Sequence, residues 1–188
     1  MTKKIAVFVG SLRKESFNRK MAGALMELAP KSLTFEMIEI GQLPLYNQDY
    51  DDEGTPPAEY SEFRQSVKPF DGVLFVTPEY NRSVPAVLKN ALDVGSRPFG
   101  QSVWGGKPGA VVSVSPGAIG GFGANHHLRQ SLVFLDIPIM AQPEAYIGGA
   151  AQLFDGEGKI ANEGTRGFLV KFMETFAAWV EKNTAKNA

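Results

Sequence analysis

The sequence predicts an α/β fold, with one parallel five-stranded sheet and helices on both faces. Two observations predict it. First, short apolar runs recur at residues 5–9, 72–76, 110–114 and 137–140, separated by helix-like segments. The first three are continuous and rich in Val, Ile and Phe, as strands buried on both faces should be. A fifth run, residues 33–40, roughly alternates and reads as a strand nearer the sheet edge. Second, strand and helix alternate five times, which favours a parallel sheet built from right-handed crossovers.

The helices follow in order. Met21, Ala24, Leu25 and Leu28 keep the i, i+3, i+4, i+7 spacing of one buried face. Residues 57–68 form a weaker helix opened by Pro56 and Pro57. For residues 84–95, Ser83 is placed to cap and Pro85 suits the first turn. Residues 123–135 read as helix after a glycine-rich turn. The last helix repeats Phe168/Leu169, Phe172/Met173, Phe176/Ala177 and Val180, and residues 186–188 are expected to be a frayed tail. Two connections, residues 41–56 and 145–162, are long enough to expect function or loose order. There is no internal repeat, and residues 1–188 are expected to form a single domain.

Composition narrows the chemistry. The 188 residues are 44% hydrophobic and 21% charged, the profile of a globular protein. A net charge of −1 gives no basic surface for nucleic acid. No window reaches the roughly 18 apolar residues of a membrane helix. Residues 5–9 are too short for a signal-peptide core, so a cytoplasmic protein is expected. The absence of cysteine excludes disulfides, thiolate nucleophiles and thiolate metal sites. Redox chemistry would therefore belong to a bound cofactor.

In an open parallel sheet, ligands bind beyond the carboxyl ends of the strands. After the first strand, Gly10, Ser11, Arg13, Ser16 and Asn18 supply hydroxyls, an amide and a guanidinium before a helix opens. That chemistry suits a phosphate. It also suits an ordinary turn capped by Ser16 or Asn18, and spacing alone leaves both readings open. One glycine is too few for a dinucleotide fingerprint or an ATP-binding P-loop. After the third strand, Pro78 and Pro85 stiffen a loop whose backbone groups suit the edge of a flat heterocycle. Thr77 and Pro78 stand where a response regulator needs its phospho-accepting Asp, which argues against that class. After the fourth strand, Gly117, Gly120, Gly121 and Gly123 permit positive φ and close approach to a planar ligand. His126 and His127 are neighbours pointing about 100° apart on a helix, so packing or an oligomer contact is expected rather than a shared metal. Trp104 and Trp179 are expected in the core or an interface.

These loops resemble the NADPH-dependent FMN reductase family of flavodoxin-like proteins, nearest its bacterial quinone and chromate reductases. The matching residues are Gly10 to Arg13 with Ser16 and Asn18, Thr77 to Asn81 with Ser83 to Pro85, Leu88 to Asp93, and Ser115, Gly117, Gly120 and Gly121. His127 to Gln130 and Leu132 to Asp136 continue the match, which spans about residues 3–180. The resemblance implies a flavodoxin-like three-layer sandwich of strand order 2-1-3-4-5 and non-covalent FMN. It implies that Ser11, Arg13, Ser16 and Asn18 hold the phosphate. Pro78, Glu79, Tyr80 and Asn81 would line the isoalloxazine edge, with Ser115, Gly117 and Gly120 closing the other side.

The implied activity is ping-pong transfer of a hydride from NAD(P)H through the flavin to quinones and similar acceptors: chromate, azo or nitro compounds, or free flavin. No side chain is assigned as catalytic acid or base. A homodimer or homotetramer is implied, with no nucleic acid and no membrane insertion. Arg82 departs from the aromatic residue often found there in the family, and a cation at that place would favour the NADPH phosphate or an anionic acceptor. Two rival classes are an electron-carrier flavodoxin, disfavoured by the weak net charge, and a flavin-free scaffold.

Overall fold

The computed structural model describes residues 2–156 and 158–184. The expected tail at residues 186–188 lies outside them. The chain runs β1 (Lys3–Val9), α1 (Phe17–Leu28), β2 (Leu33–Met37), α2 (Gln48–Asp52), α3 (Ala58–Val67), β3 (Gly72–Thr77) and α4 (Ala86–Gly95). It continues through β4 (Gly109–Val114), α5 (Phe122–Phe134), β5 (Ala145–Ile147), a 3-10 turn (Ala150–Gln152) and α6 (Glu163–Thr184). The sheet order is β2-β1-β3-β4-β5 and every pairing is parallel.

Successive strand residues face opposite sides, so each central strand feeds two cores. Ile5, Val7, Leu74, Val76 and Val112 pack with Met21 and Leu25 of α1 and Phe172 and Phe176 of α6. Ala6, Phe8, Val73, Phe75 and Val111 pack with Phe63 of α3, Leu88 and Leu92 of α4 and Leu128 of α5. Trp104 is buried in the second core and its Nε1–H donates to the Leu92 carbonyl at 3.0 Å. Trp179 is partly buried and donates to the Pro138 carbonyl at 2.7 Å. Both tryptophans thus have the packing role expected of them.

The fifth strand is not where the sequence suggests. Residues 137–140 run beside the start of β4 without joining the sheet as a strand: the Gly109 N–H donates to Pro138 O, the Met140 N–H donates to Gly109 O, and Ile139 makes one isolated bridge. Pro138 has no N–H to give a ladder. Ile137 and Met140 are buried all the same, which explains their apolar character. The true strand is Ala145–Ile147, paired with Val112 to Val114. Buried Asn125 of α5 fastens it, donating to Ser113 Oγ at 3.2 Å and Ala145 O at 3.3 Å.

The two long connections are also more ordered than their composition suggests. Residues 41–56 contain α2, and the preceding bend is clasped by Asn90 of α4, which accepts from Tyr46 N–H at 2.8 Å and donates to Pro44 O at 2.9 Å. Residues 145–162 contain β5 and the 3-10 turn. At α4, Ser83 does not cap. Pro85 is the N-cap residue, and the Ser83 hydroxyl pairs with His127 Nδ1 at 3.0 Å.

Candidate functional site

Strand register brings the predicted loops together. Val9 pairs with Val76, Thr77 with Ser113, and Val114 with Ile147, so β1, β3, β4 and β5 release their loops at one end of the sheet. There a cleft of about 230 Å³ is lined by Ser11, Arg13, Ser16, Phe17, Asn18, Pro78, Glu79, Tyr80, Val114, Ser115 and Pro116. Three loops far apart in sequence share one concave site. Asn81, Gly117 and Gly120 do not line it. Asn81 sits in the turn beyond Tyr80, while Gly117 and Gly120 close a turn at the far rim, with Gly120 N–H donating to Gly117 O at 3.2 Å.

In the first loop, the Ser16 hydroxyl accepts the Arg19 N–H at 3.2 Å, so Ser16 does cap α1. Its hydroxyl hydrogen is still free to donate. Ser11, Ser16 and Asn18 are each at most 5% exposed, whereas Arg13 is exposed. No backbone N–H from Ser11 to Ser16 donates to an acceptor among the described residues. Asn18 makes a long bond to Val114 O at 3.4 Å, and its buried Oδ1 has no partner. The donor set of free backbone N–H groups, two hydroxyls, one guanidinium and a helix N-terminus matches a phosphate.

The other two loops interlock. The Ala124 N–H, in the first turn of α5, donates to Glu79 Oε2 at 3.0 Å. Glu79 therefore spends one oxygen on α5, and Arg82 Nη1 lies 3.6 Å from the other. Gly120 has φ +65, and a Cβ there would come within 2.5 Å of the Tyr146 backbone, so the rim turn is pressed onto β5. Tyr146 in turn bonds His126 Nε2 through its hydroxyl at 2.9 Å. Burial pushes the Tyr146 phenol up to about 12, with the neighbouring Glu144 adding to the rise.

The adjacent histidines diverge, one to Tyr146 and the other to Ser83, as their spacing requires. Among the described residues no cluster of three or more His, Cys, Asp or Glu could hold a metal ion. None of their helices is long and apolar enough to cross a membrane. A larger cavity of about 560 Å³ lies beside β5, lined by Glu144, Tyr146 and Phe168 among others, and contains none of the predicted site residues. Phe17 and Val114 were not foreseen as lining residues. Each adjoins a foreseen polar residue in sequence, but only folding shows which way its side chain turns.

A doubly wound sheet with a phosphate-type cradle and two stiff loops over one cleft defines a flavodoxin-like nucleotide-binding protein. The sequence profile of the NADPH-dependent FMN reductase family matches residues 3–152, and the chain belongs to that family. It is 66% identical over 181 residues to a quinone reductase of Pseudomonas putida, covering 96% of each chain. It is 54% identical over 180 residues to the 2-hydroxy-1,4-benzoquinone reductase of a Burkholderia species, covering 96% of this chain and 97% of that one. Among solved structures, the flavoenzyme NAD(P)H:(acceptor) oxidoreductase FerB of Paracoccus denitrificans superposes with a TM-score of 0.90 at 41% identity. That superposition covers 97% of this chain and 99% of FerB.

Proposed function

We propose that this protein is an FMN-dependent NAD(P)H oxidoreductase whose acceptors are quinones. The observation that carries the reading is the convergence of three loops on one cleft, with a row of unspent donors at the end of β1. Membership of the FMN reductase family and the full-length likeness to named quinone reductases support it. The net reaction consumes NAD(P)H, one proton and a quinone, and yields NAD(P)⁺ and a hydroquinone.

Bound FMN supplies the two-electron relay between nicotinamide and quinone. The chain's own residues bind and orient. Ser11, Arg13, Ser16 and Asn18 would hold the phosphate. Pro78, Glu79 and Tyr80 would line the ring edge and Ser115 the opposite side, with Asn81, Gly117 and Gly120 in the turns just outside the cleft. Among these residues the backbone N–H groups of Glu79 and Asn81 donate to no acceptor among the described residues, and they would favour negative charge on the ring. No side chain need act as acid or base, because solvent supplies the proton to the hydroquinone.

The same open site suits chromate and azo or nitro acceptors. Phe99 and Phe134, 93% and 83% exposed, give the surface apolar area consistent with a homodimer or homotetramer. We place the working protein in the cytoplasm.

The test is an absorption spectrum of the purified protein, followed by anaerobic titration with NADPH and re-oxidation by a quinone. A flavin spectrum bleached by NADPH and restored by benzoquinone is expected. A flavin that NADPH bleaches only in the presence of a partner reductase would make the protein a carrier. Protein that stays colourless with added FMN would overturn the reading.

A further inference from the structure

The turn beyond the ring-facing loop carries a cation in an uncommon backbone setting. Tyr80 and Ser83 exchange both backbone hydrogen bonds, at 3.1 and 3.0 Å. Between them Asn81 and Arg82 have φ +51 and +64. This is the two-residue hairpin whose favoured pair is Asn-Gly. Arginine in the second position occupies left-handed backbone that glycine would adopt without steric cost. A strained residue in the turn directly after the cleft-lining residues Pro78, Glu79 and Tyr80 calls for a role for its side chain.

The position of the turn is rigidly set. A Cβ on Gly123 of α5 would come within 2.8 Å of Arg82 O, so helix and turn touch backbone to backbone. The guanidinium lies beside Glu79, which lines the cleft, but at 3.6 Å the pair is an ion pair without a hydrogen bond. The other carboxylate oxygen of Glu79 already accepts from Ala124. The Arg82 side chain is 75% exposed and makes no hydrogen bond among the described residues. Its donors are available beside Glu79, a residue of the cleft wall, in the loop proposed to face the flavin ring.

We propose that Arg82 selects the electron acceptor by charge, favouring hydroxyquinones in their ionised form over neutral quinones. The inference rests on the quinone reductase reading and specifies the substrate class of the same site. A hydroxyquinone is a vinylogous acid. Its ionised oxygen and the adjacent carbonyl present two acceptors side by side, which matches the fork of a guanidinium. The 2-hydroxy-1,4-benzoquinone in the name of the Burkholderia relative belongs to this class. The phosphate of NADPH is a second source of negative charge, and the measurement below separates the two.

The experiment compares wild-type holoenzyme with Arg82→Gly and Arg82→Lys. Steady-state kcat/KM is measured for 2-hydroxy-1,4-benzoquinone and for its uncharged analogue 2-methoxy-1,4-benzoquinone, with NADPH saturating. Glycine removes the cation while easing the turn, so thermal stability is expected to hold or rise. The hydroxy-to-methoxy ratio is expected to fall about tenfold in Arg82→Gly. Arg82→Lys should keep part of the preference, and the wild-type ratio should shrink as salt is raised. A ratio preserved in Arg82→Gly, with both quinones reduced, overturns this proposal alone. A preserved ratio joined to a raised KM for NADPH assigns Arg82 to the nucleotide phosphate instead. Wild-type protein that reduces neither quinone overturns the quinone reductase reading and this proposal with it.

Discussion

The backbone N–H of Ala124 donates to the side chain of Glu79 across 3.0 Å, joining the loop after β3 to the first turn of α5. The N-cap residue of α5 is Gly121, at φ 77, which has no side chain to cap with. Glu79 does that work from another loop and brings a negative charge to the positive end of the helix. Glu79→Ala is expected to cost about 1 kcal/mol, which is a fall of about 2–4 °C in Tm for a chain of this size. FMN affinity should fall with it if the cleft holds the flavin, because the loop after β3 and the start of α5 lose their mutual brace. Glu79→Gln keeps an acceptor and should recover most of the Tm. Equal Tm values for wild type, Gln and Ala would show that the bond contributes nothing.

Arg13 is one of two exposed cations of the β1 loop, beside Lys14. If it reaches the phosphate, Arg13→Ala removes a charge-assisted hydrogen bond worth about 1.5–3 kcal/mol, and FMN should bind roughly 10- to 100-fold more weakly. Fluorescence titration of the apoprotein with FMN reads this directly. An unaltered dissociation constant would mean that hydroxyls and backbone carry the cradle without Arg13.

Asn18 has a buried Oδ1 with no partner and one long bond to Val114 O. Asn18→Asp would set a carboxylate against the phosphate, and like charges so placed cost several kcal/mol, so FMN binding is expected to weaken by about 100-fold or more. The same titration measures it. Binding equal to wild type would place the Asn18 side chain away from the phosphate.

The Tyr146 phenol is raised from 10.0 to about 12, first by burial and then by Glu144. A raised acid pKa means that the neutral form is favoured in the folded protein. Its stabilising contribution is complete below the unfolded value of 10.0 and is lost as pH climbs through about 12. Tm should therefore decline between those two pH values, and Tyr146→Phe should flatten the decline. Phenolate absorbance of the native protein gives the midpoint independently. A Tyr146 midpoint near 10 would contradict the shift.

Much of this protein was determined by local pattern. Continuous apolar runs marked β1, β3 and β4 because strands covered on both faces leave no polar side to alternate. The polar loops after them meet at one cleft because strand ends in a parallel sheet all open in one direction. Ser11, Arg13, Ser16, Asn18, Pro78, Glu79, Tyr80 and Ser115 were legible for that reason, and the structure gathers them in one cleft.

Tertiary structure decided the rest. The run at residues 137–140 looks like a strand because burial alone makes a segment apolar. Whether a buried segment joins a ladder depends on a run of backbone donors and acceptors in register: Pro138 has no N–H to give, while β5 pairs with β4 and is further held by the Asn125 side chain. The Ser83 hydroxyl faced two possible partners, its own helix or His127, and packing of α5 against the loop chose His127. Glu79 reads as a cleft residue in sequence, but its bond to Ala124 spans 45 positions and arises only when β3 and α5 meet. Sequence thus determined which residues carry donors and where strands end, since those follow from side-chain chemistry and periodicity. Which donors remain unspent, and so which are free to bind, was decided by long-range packing.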